Sequence, residues 1–159
     1  MYKSVVFTVL LFAFFAQPIF AQPTPNLAGT WKFDPVASTG VPQAKGALLL
    51  VISQSGEELT FEYYRDTSAE RGEPIQTTYY STNGRERMGN KVRTYVAYVK
   101  SYWERQTLVV RTRAVVDATG EQIFDMEERW MLSKDGNTLT EKSSDGTKAV
   151  YTRQPNPEP

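Results

Sequence analysis

Glu128 is the residue whose chemistry most needs explaining. It stands in the run Met126-Glu127-Glu128-Arg129-Trp130, with Met126 and Trp130 two positions to either side. In an extended chain those three side chains share one face, so the carboxyl keeps apolar company. A carboxyl placed there must be protonated, hydrogen-bonded or paired with a cation, because a bare buried charge is too costly. Two readings stay open. One is a polar group inside a cavity, holding a ligand together with Thr112 and nearby tyrosines. The other is a rim position open to water, or a structural pair with an arginine. Glu127 and Glu128 are neighbours and face opposite sides of a strand, which denies them the facing geometry of a glycoside-cleaving carboxylate pair.

Other catalytic chemistry has little to work with. The chain contains no His and no Cys. Thiol nucleophiles, imidazole bases, Ser-His-Asp triads and the common zinc sites all need one or the other. The expectation is therefore a protein that is not an enzyme and uses no metal and no cofactor. Without disulfides, its core alone must hold it together.

Tyrosine is the abundant functional side chain. The pairs Tyr63-Tyr64 and Tyr79-Tyr80 must each split across the two faces of a strand. A tyrosine offers a ring and a hydroxyl together, which suits an amphipathic pocket. The expected interior lining is Phe61, Tyr63, Tyr79, Thr112, Met126 and Glu128; ordinary core and surface packing is the other reading of the same residues. Arg85, Arg87, Lys91 and Arg93 form a basic cluster, interrupted by Glu86. With 18 basic and 18 acidic residues overall, no excess charge points to nucleic acid, and the cluster is read as a solvated loop.

The elements that must position these residues begin after an export signal. Lys3 precedes an apolar run over residues 5–16, Pro18 breaks it, and Ile19-Phe20-Ala21 ends it on a small residue. The run is shorter than the roughly 20 apolar residues that a spanning helix requires. Residues 1–21 are expected to be a cleaved signal, giving a secreted or periplasmic protein that is not integral to the membrane. Gln22 rather than Cys follows the signal, so no lipid anchor is expected. Loss of Lys3 leaves one more acid than base. Residues 22–26 then form a lead-in linker, 27–153 a single domain, and 154–159 a Pro-rich tail.

Within that domain, strands are expected at 27–33, 47–53, 59–64 and 75–81. Asp34-Pro35-Val36-Ala37-Ser38 reads as one helical turn, with Asp34 capping and Pro35 in the first helical position. Asn83-Gly84 reads as a hairpin turn, residues 85–91 as irregular, and 92–103 and 108–116 as strands. Across the turn at 117–121, setting Val116 against Gln122 brings Arg113 opposite Asp125 and Arg111 opposite Glu127. The other face then matches Leu108, Val110, Thr112 and Ala114 with Trp130, Glu128, Met126 and Phe124. A slip of one residue would push charge into the core, so the pattern fixes this register. Asp135-Gly136 and Asp145-Gly146 mark two more hairpins. The sum is about nine short strands with almost no helix. That predicts an all-β, antiparallel up-and-down meander closed into a barrel of roughly eight to ten strands.

Leu27-Ala28-Gly29-Thr30-Trp31-Lys32-Phe33-Asp34-Pro35, with Ser38, resembles the opening of small secreted bacterial lipocalin-like proteins, and its Gly-Thr-Trp-Lys step is similar to that of fatty-acid-binding proteins within the calycin group. The segment 139–153, closing on Tyr151-Thr152-Arg153, resembles the way such barrels finish. The resemblance implies a lipocalin-like barrel in which Gly29, Trp31 and Arg153 close one end, the indole stacked under the late basic residue. It also implies a cavity for a small hydrophobic or amphipathic molecule, held noncovalently. The loop after Phe33 is too short for the helical lid of fatty-acid-binding proteins. The Tyr-x-Arg order does not carry over their carboxylate-binding Arg-x-Tyr arrangement. A filled barrel acting as a cell-envelope interaction or structural module is the alternative function, with no protein partner specified.

Overall fold

Period-two alternation is the rule along the chain, as in Leu59, Phe61 and Tyr63, which are buried between Glu58, Thr60, Glu62 and Tyr64. The structure is a computed structural model that describes residues 24–155 except 41, 43 and 69–71, with the backbone alone at 90 and 92. The expected signal over 1–21, the start of the lead-in and the end of the tail lie outside the described residues.

Ten strands follow in order among the described residues: β1 Gly29–Phe33, β2 Leu49–Ser55, β3 Glu58–Tyr64, β4 Gln76–Ser81, β5 Asn83–Val92, β6 Tyr95–Glu104, β7 Thr107–Val116, β8 Gln122–Leu132, β9 Thr138–Ser143 and β10 Lys148–Arg153. They form one antiparallel sheet in the order β4-β3-β2-β1-β10-β9-β8-β7-β6-β5. First and last strands pair, Trp31 opposite Arg153. The meander therefore curls into a nearly closed up-and-down barrel, and its two free edges belong to the consecutive strands β4 and β5. Among the described residues no helix is long and apolar enough to cross a membrane.

The β7–β8 register is the one the charge pattern demanded. Arg111 lies opposite Glu127, Arg113 opposite Asp125, and Val110 opposite Glu128. A register shift after Ala114 sets Val115, not Val116, against Gln122. On the outer face Arg111 Nε donates to Glu127 at 2.7 Å, Arg129 Nε donates to the same carboxylate at 2.7 Å, and Arg129 Nη1 reaches Glu104 at 2.6 Å. Arg113 passes over Asp125 and makes a two-pronged bond to Glu86 of β5 at 2.6 and 2.7 Å. Its guanidinium also covers the Tyr98 ring at 4.3 Å.

Three local expectations are corrected. Asn83-Gly84 does not turn a hairpin: the chain bends at Thr82 and crosses from one sheet edge to the other, so β4 and β5 are not paired. Residues 85–91, expected to be irregular, belong to β5, where two register shifts bracket Glu86 to Met88. The strand expected over 92–103 is split at Arg93-Thr94. Arg93 takes up the left-handed backbone (φ 46°) that a glycine or asparagine would have announced. After β1, Asp34 Oδ1 accepts from the amides of Val36 and Ala37 at 2.9 and 3.0 Å, capping a single turn rather than a helix.

The core fills the barrel. Phe61 meets Tyr80 and Trp130 edge-on with ring centres 5.1 and 5.0 Å apart, and Trp130 stacks on Tyr151 at 6.0 Å. Leu50, Ile52, Leu108 and Leu139 complete the packing, and Ala44 and Ala47 of the loop after β1 join it.

Candidate functional site

Three places gather the side chains that carry chemistry: the end of the barrel at β1, the buried interior, and the seam between β4 and β5.

At the β1 end, Trp31 is fully buried and the Arg153 guanidinium lies 4.1 Å from its ring centre. The indole N–H donates to Leu27 O at 3.0 Å. Arg153 donates through Nη1 to Ala28 O at 2.8 Å and through Nε to Gly136 O at 2.7 Å, joining the first strand to the β8–β9 turn. Gly29 lets the guanidinium come this close: its φ is 147°, and a Cβ there would run into Arg153 Nη1. Leu27 is itself buried, its amide held by the Gln54 side chain at 2.9 Å.

The interior holds two carboxyls rather than one. Glu128 is 2 % exposed and Glu141, on the neighbouring strand opposite Trp130, is 7 % exposed. Burial, reinforced by the Asp145 charge, pushes Glu128 up to about 7. Burial and then the Glu128 charge push Glu141 up to about 8. The Trp130 indole N–H and the Tyr151 hydroxyl make no hydrogen bond of standard geometry, yet they stand close enough to Glu128 and Glu141 respectively to oppose the rise. The same carboxyls and the neighbouring phenols, together with burial above all, raise Tyr63 and Tyr151 well above the ordinary tyrosine value. Burial thus biases both carboxyls toward the protonated form, and both are shut away from solvent in the barrel interior.

The seam holds the open space. A cleft of about 660 Å³ runs along the whole of β4, with Arg85, Arg87, Met88 and Gly89 of β5 as its other wall. Ala97, Val99, Ser101 and Thr112 lie beneath it. The edges are tied near one end, where Ser101 Oγ donates to Ser81 O at 2.8 Å and Arg87 reaches Glu58 of β3 at 3.5 Å. A second hollow of about 590 Å³ is walled by Glu104 to Thr107, the β6–β7 turn and the strand ends that flank it, and lies apart from these three places.

The six expected lining residues are thus dispersed. Phe61 and Tyr63 are buried within the packed core and line neither the seam cleft nor the hollow at the β6–β7 turn. Glu128 is in the interior with Glu141. Met126 is half-buried opposite Thr112, and Thr112 reaches the cleft. Tyr79, expected to point inward, is 74 % exposed, while Tyr80 takes the inner position. The β3 register explains the exchange: Tyr80 lies opposite buried Leu59, and Thr78 opposite buried Phe61. Tyr79 still belongs to the cleft, from its outer lip.

Glu141 was missed, although the alternation Leu139, Glu141, Ser143 marks it as the next inward position. The arginines of the cleft were missed because residues 85–91 carried no strand pattern. The basic cluster itself is divided, with Lys91 on Asp117 at 2.5 Å and Arg87 against Glu58.

Compared with known proteins, the chain matches no family model and no curated sequence. The calycin-like character rests on the architecture alone: ten antiparallel strands in meander order, with first and last strands joined.

Proposed function

We propose that this protein is an exported, non-catalytic barrel that binds a small amphipathic molecule noncovalently in the seam between β4 and β5. The observation that carries the reading is the cleft. Its volume of about 660 Å³ falls within the range of small-molecule pockets. Its lining mixes rings and methyls (Tyr80, Met88, Val99, Ala97) with hydroxyls and two guanidinium groups. Ligand sites combine apolar walls with a few polar anchors in this way. Export, to the periplasm or outside the cell, is the part of this reading that rests on the sequence alone, on the apolar run over 5–16 and the Ile19-Phe20-Ala21 end.

The packed interior favours a binding place on the side of the barrel over one on its axis. It also favours a second reading, a protein-interaction module whose working surface is the same seam. Native mass spectrometry of the mature protein, purified from its own host, separates the two. A small molecule retained by the native protein and lost from Ala97→Trp, which fills the cleft, supports the first. Absence of any small molecule from both, with a protein partner retained, supports the second.

A further inference from the structure

We propose that the amphipathic ligand of the seam is a short, extended, acidic peptide that adds a strand beside β4. This rests on the reading that the seam is the binding face, and it follows from the hydrogen-bond parity of β4. The Thr82 amide donates to Glu57 O at 2.8 Å, which fixes the ladder partners two residues at a time. In that register Tyr80, Thr78 and Gln76 spend their main-chain groups on Leu59, Phe61 and Tyr63 of β3. Thr77, Tyr79 and Ser81 therefore turn theirs toward the seam. The Ser101 bond to Ser81 O agrees with this, since it approaches from the seam side. The main-chain edge at Thr77 and Tyr79 is what a free strand end of a sheet offers to an incoming peptide.

The cleft has the matching shape. It follows all six residues of β4, roughly 20 Å of extended chain. An extended peptide there sets the side chains of one face over Ala97 and Val99, and Arg87, which lies opposite Val99 in the β5–β6 ladder, stands on that same face to meet an acidic group among them. Arg87 has a half-exposed side chain and only a long contact to Glu58, so its remaining donors are available to a carboxylate. The charge of this wall selects an acidic partner over a basic one.

The test titrates the full mature protein with three probes: a synthetic peptide of alternating valine and glutamate, its valine–lysine counterpart, and the dye anilinonaphthalene sulfonate. Thr77→Pro deletes a seam-facing N–H that the barrel does not use, a position where an edge strand tolerates proline. Thermal unfolding verifies its fold. The glutamate peptide is expected to bind the native protein in preference to the lysine peptide and to protect the amides of Thr77 and Tyr79 from exchange. Thr77→Pro is expected to weaken it by about tenfold, the worth of one or two main-chain bonds. Arg87→Glu, which leaves the backbone intact, is expected to reverse the preference between the peptides. Dye binding to both proteins without peptide binding overturns the peptide inference and leaves the seam reading standing. Binding of neither probe to the native protein overturns both.

Discussion

Arg153 covers the ring of Trp31 at 4.1 Å while it spends two N–H groups on the carbonyls of Ala28 and Gly136. One side chain thereby joins the first strand, the last strand and the β8–β9 turn at the end where the barrel shuts. Replacing it with methionine keeps much of the stem's packing but removes the charge above the indole and both carbonyl bonds. Such bonds are worth about 1–3 kcal/mol each when the donor is charged. Arg153→Met is expected to lose about 3 kcal/mol in urea unfolding, and a loss well under 1 kcal/mol would remove the closing role from this residue.

Gly29→Ala attacks the same contact from the other side. The new methyl meets the Arg153 guanidinium, and a φ of 147° is hard for any residue with a Cβ. The expected cost is about 2 kcal/mol. It should shrink in the Arg153→Met background, where the colliding group is gone. A cost of equal size in both backgrounds would assign the whole effect to the backbone.

Glu128 and Glu141 set a dependence on pH. Both carboxyls sit at 4.5 in an ordinary environment and are raised in the folded barrel to about 7 and about 8. The folded state therefore holds more protons than the unfolded chain between these values, and stability falls as pH rises through that window. The contribution is fully present below pH 4.5 and has been lost by about pH 8. The loss is on the order of 3–5 kcal/mol for one group taken alone, and the two are coupled, so they do not simply add. Glu141→Gln is expected to flatten the slope of stability between pH 5 and pH 8 measured by urea unfolding. A slope unchanged by that substitution would show that the pair does not hold its proton in the barrel.

On the outer face, Glu127 receives both Arg111 and Arg129, and Arg129 passes on to Glu104. Arg111 and Glu104 are exposed and Glu127 and Arg129 half-exposed, so solvent screens each pair to less than about 1 kcal/mol. Glu127→Gln is expected to cost about 1 kcal/mol at low salt and much less at high salt. The comparison of melting curves at two ionic strengths tests this. A cost that does not respond to salt would mean packing of the side-chain stems, not charge, is at work.

What could be read from residues alone follows from the kind of constraint each segment carries. The β7–β8 pairing was legible because Arg111, Arg113, Asp125 and Glu127 punish any slip by placing charge in the core. The capped turn at Asp34 was legible for a similar reason, since a carboxylate before a proline has few other uses. β5 was not. Its residues Arg85 to Lys91 alternate poorly, because two register shifts change which face each side chain takes. The β5–β6 turn was hidden because Arg93 bears a conformation its type does not signal. Missing β5 concealed half of the cleft, and with it Arg85 and Arg87. The inward tyrosine of the Tyr79-Tyr80 pair could not be chosen from β4 alone. Its neighbours Thr77, Thr78 and Ser81 are small and polar, and only pairing with Leu59 and Phe61 decides the face.

The most direct measurement is a two-dimensional amide NMR titration of the mature protein with anilinonaphthalene sulfonate. Shift changes are expected along Gln76–Ser81 and at Arg87, Gly89, Ala97 and Val99, with Leu50, Phe61 and Leu139 unmoved. Changes centred on Phe61 and Trp130, or no change along β4, would contradict binding at the seam.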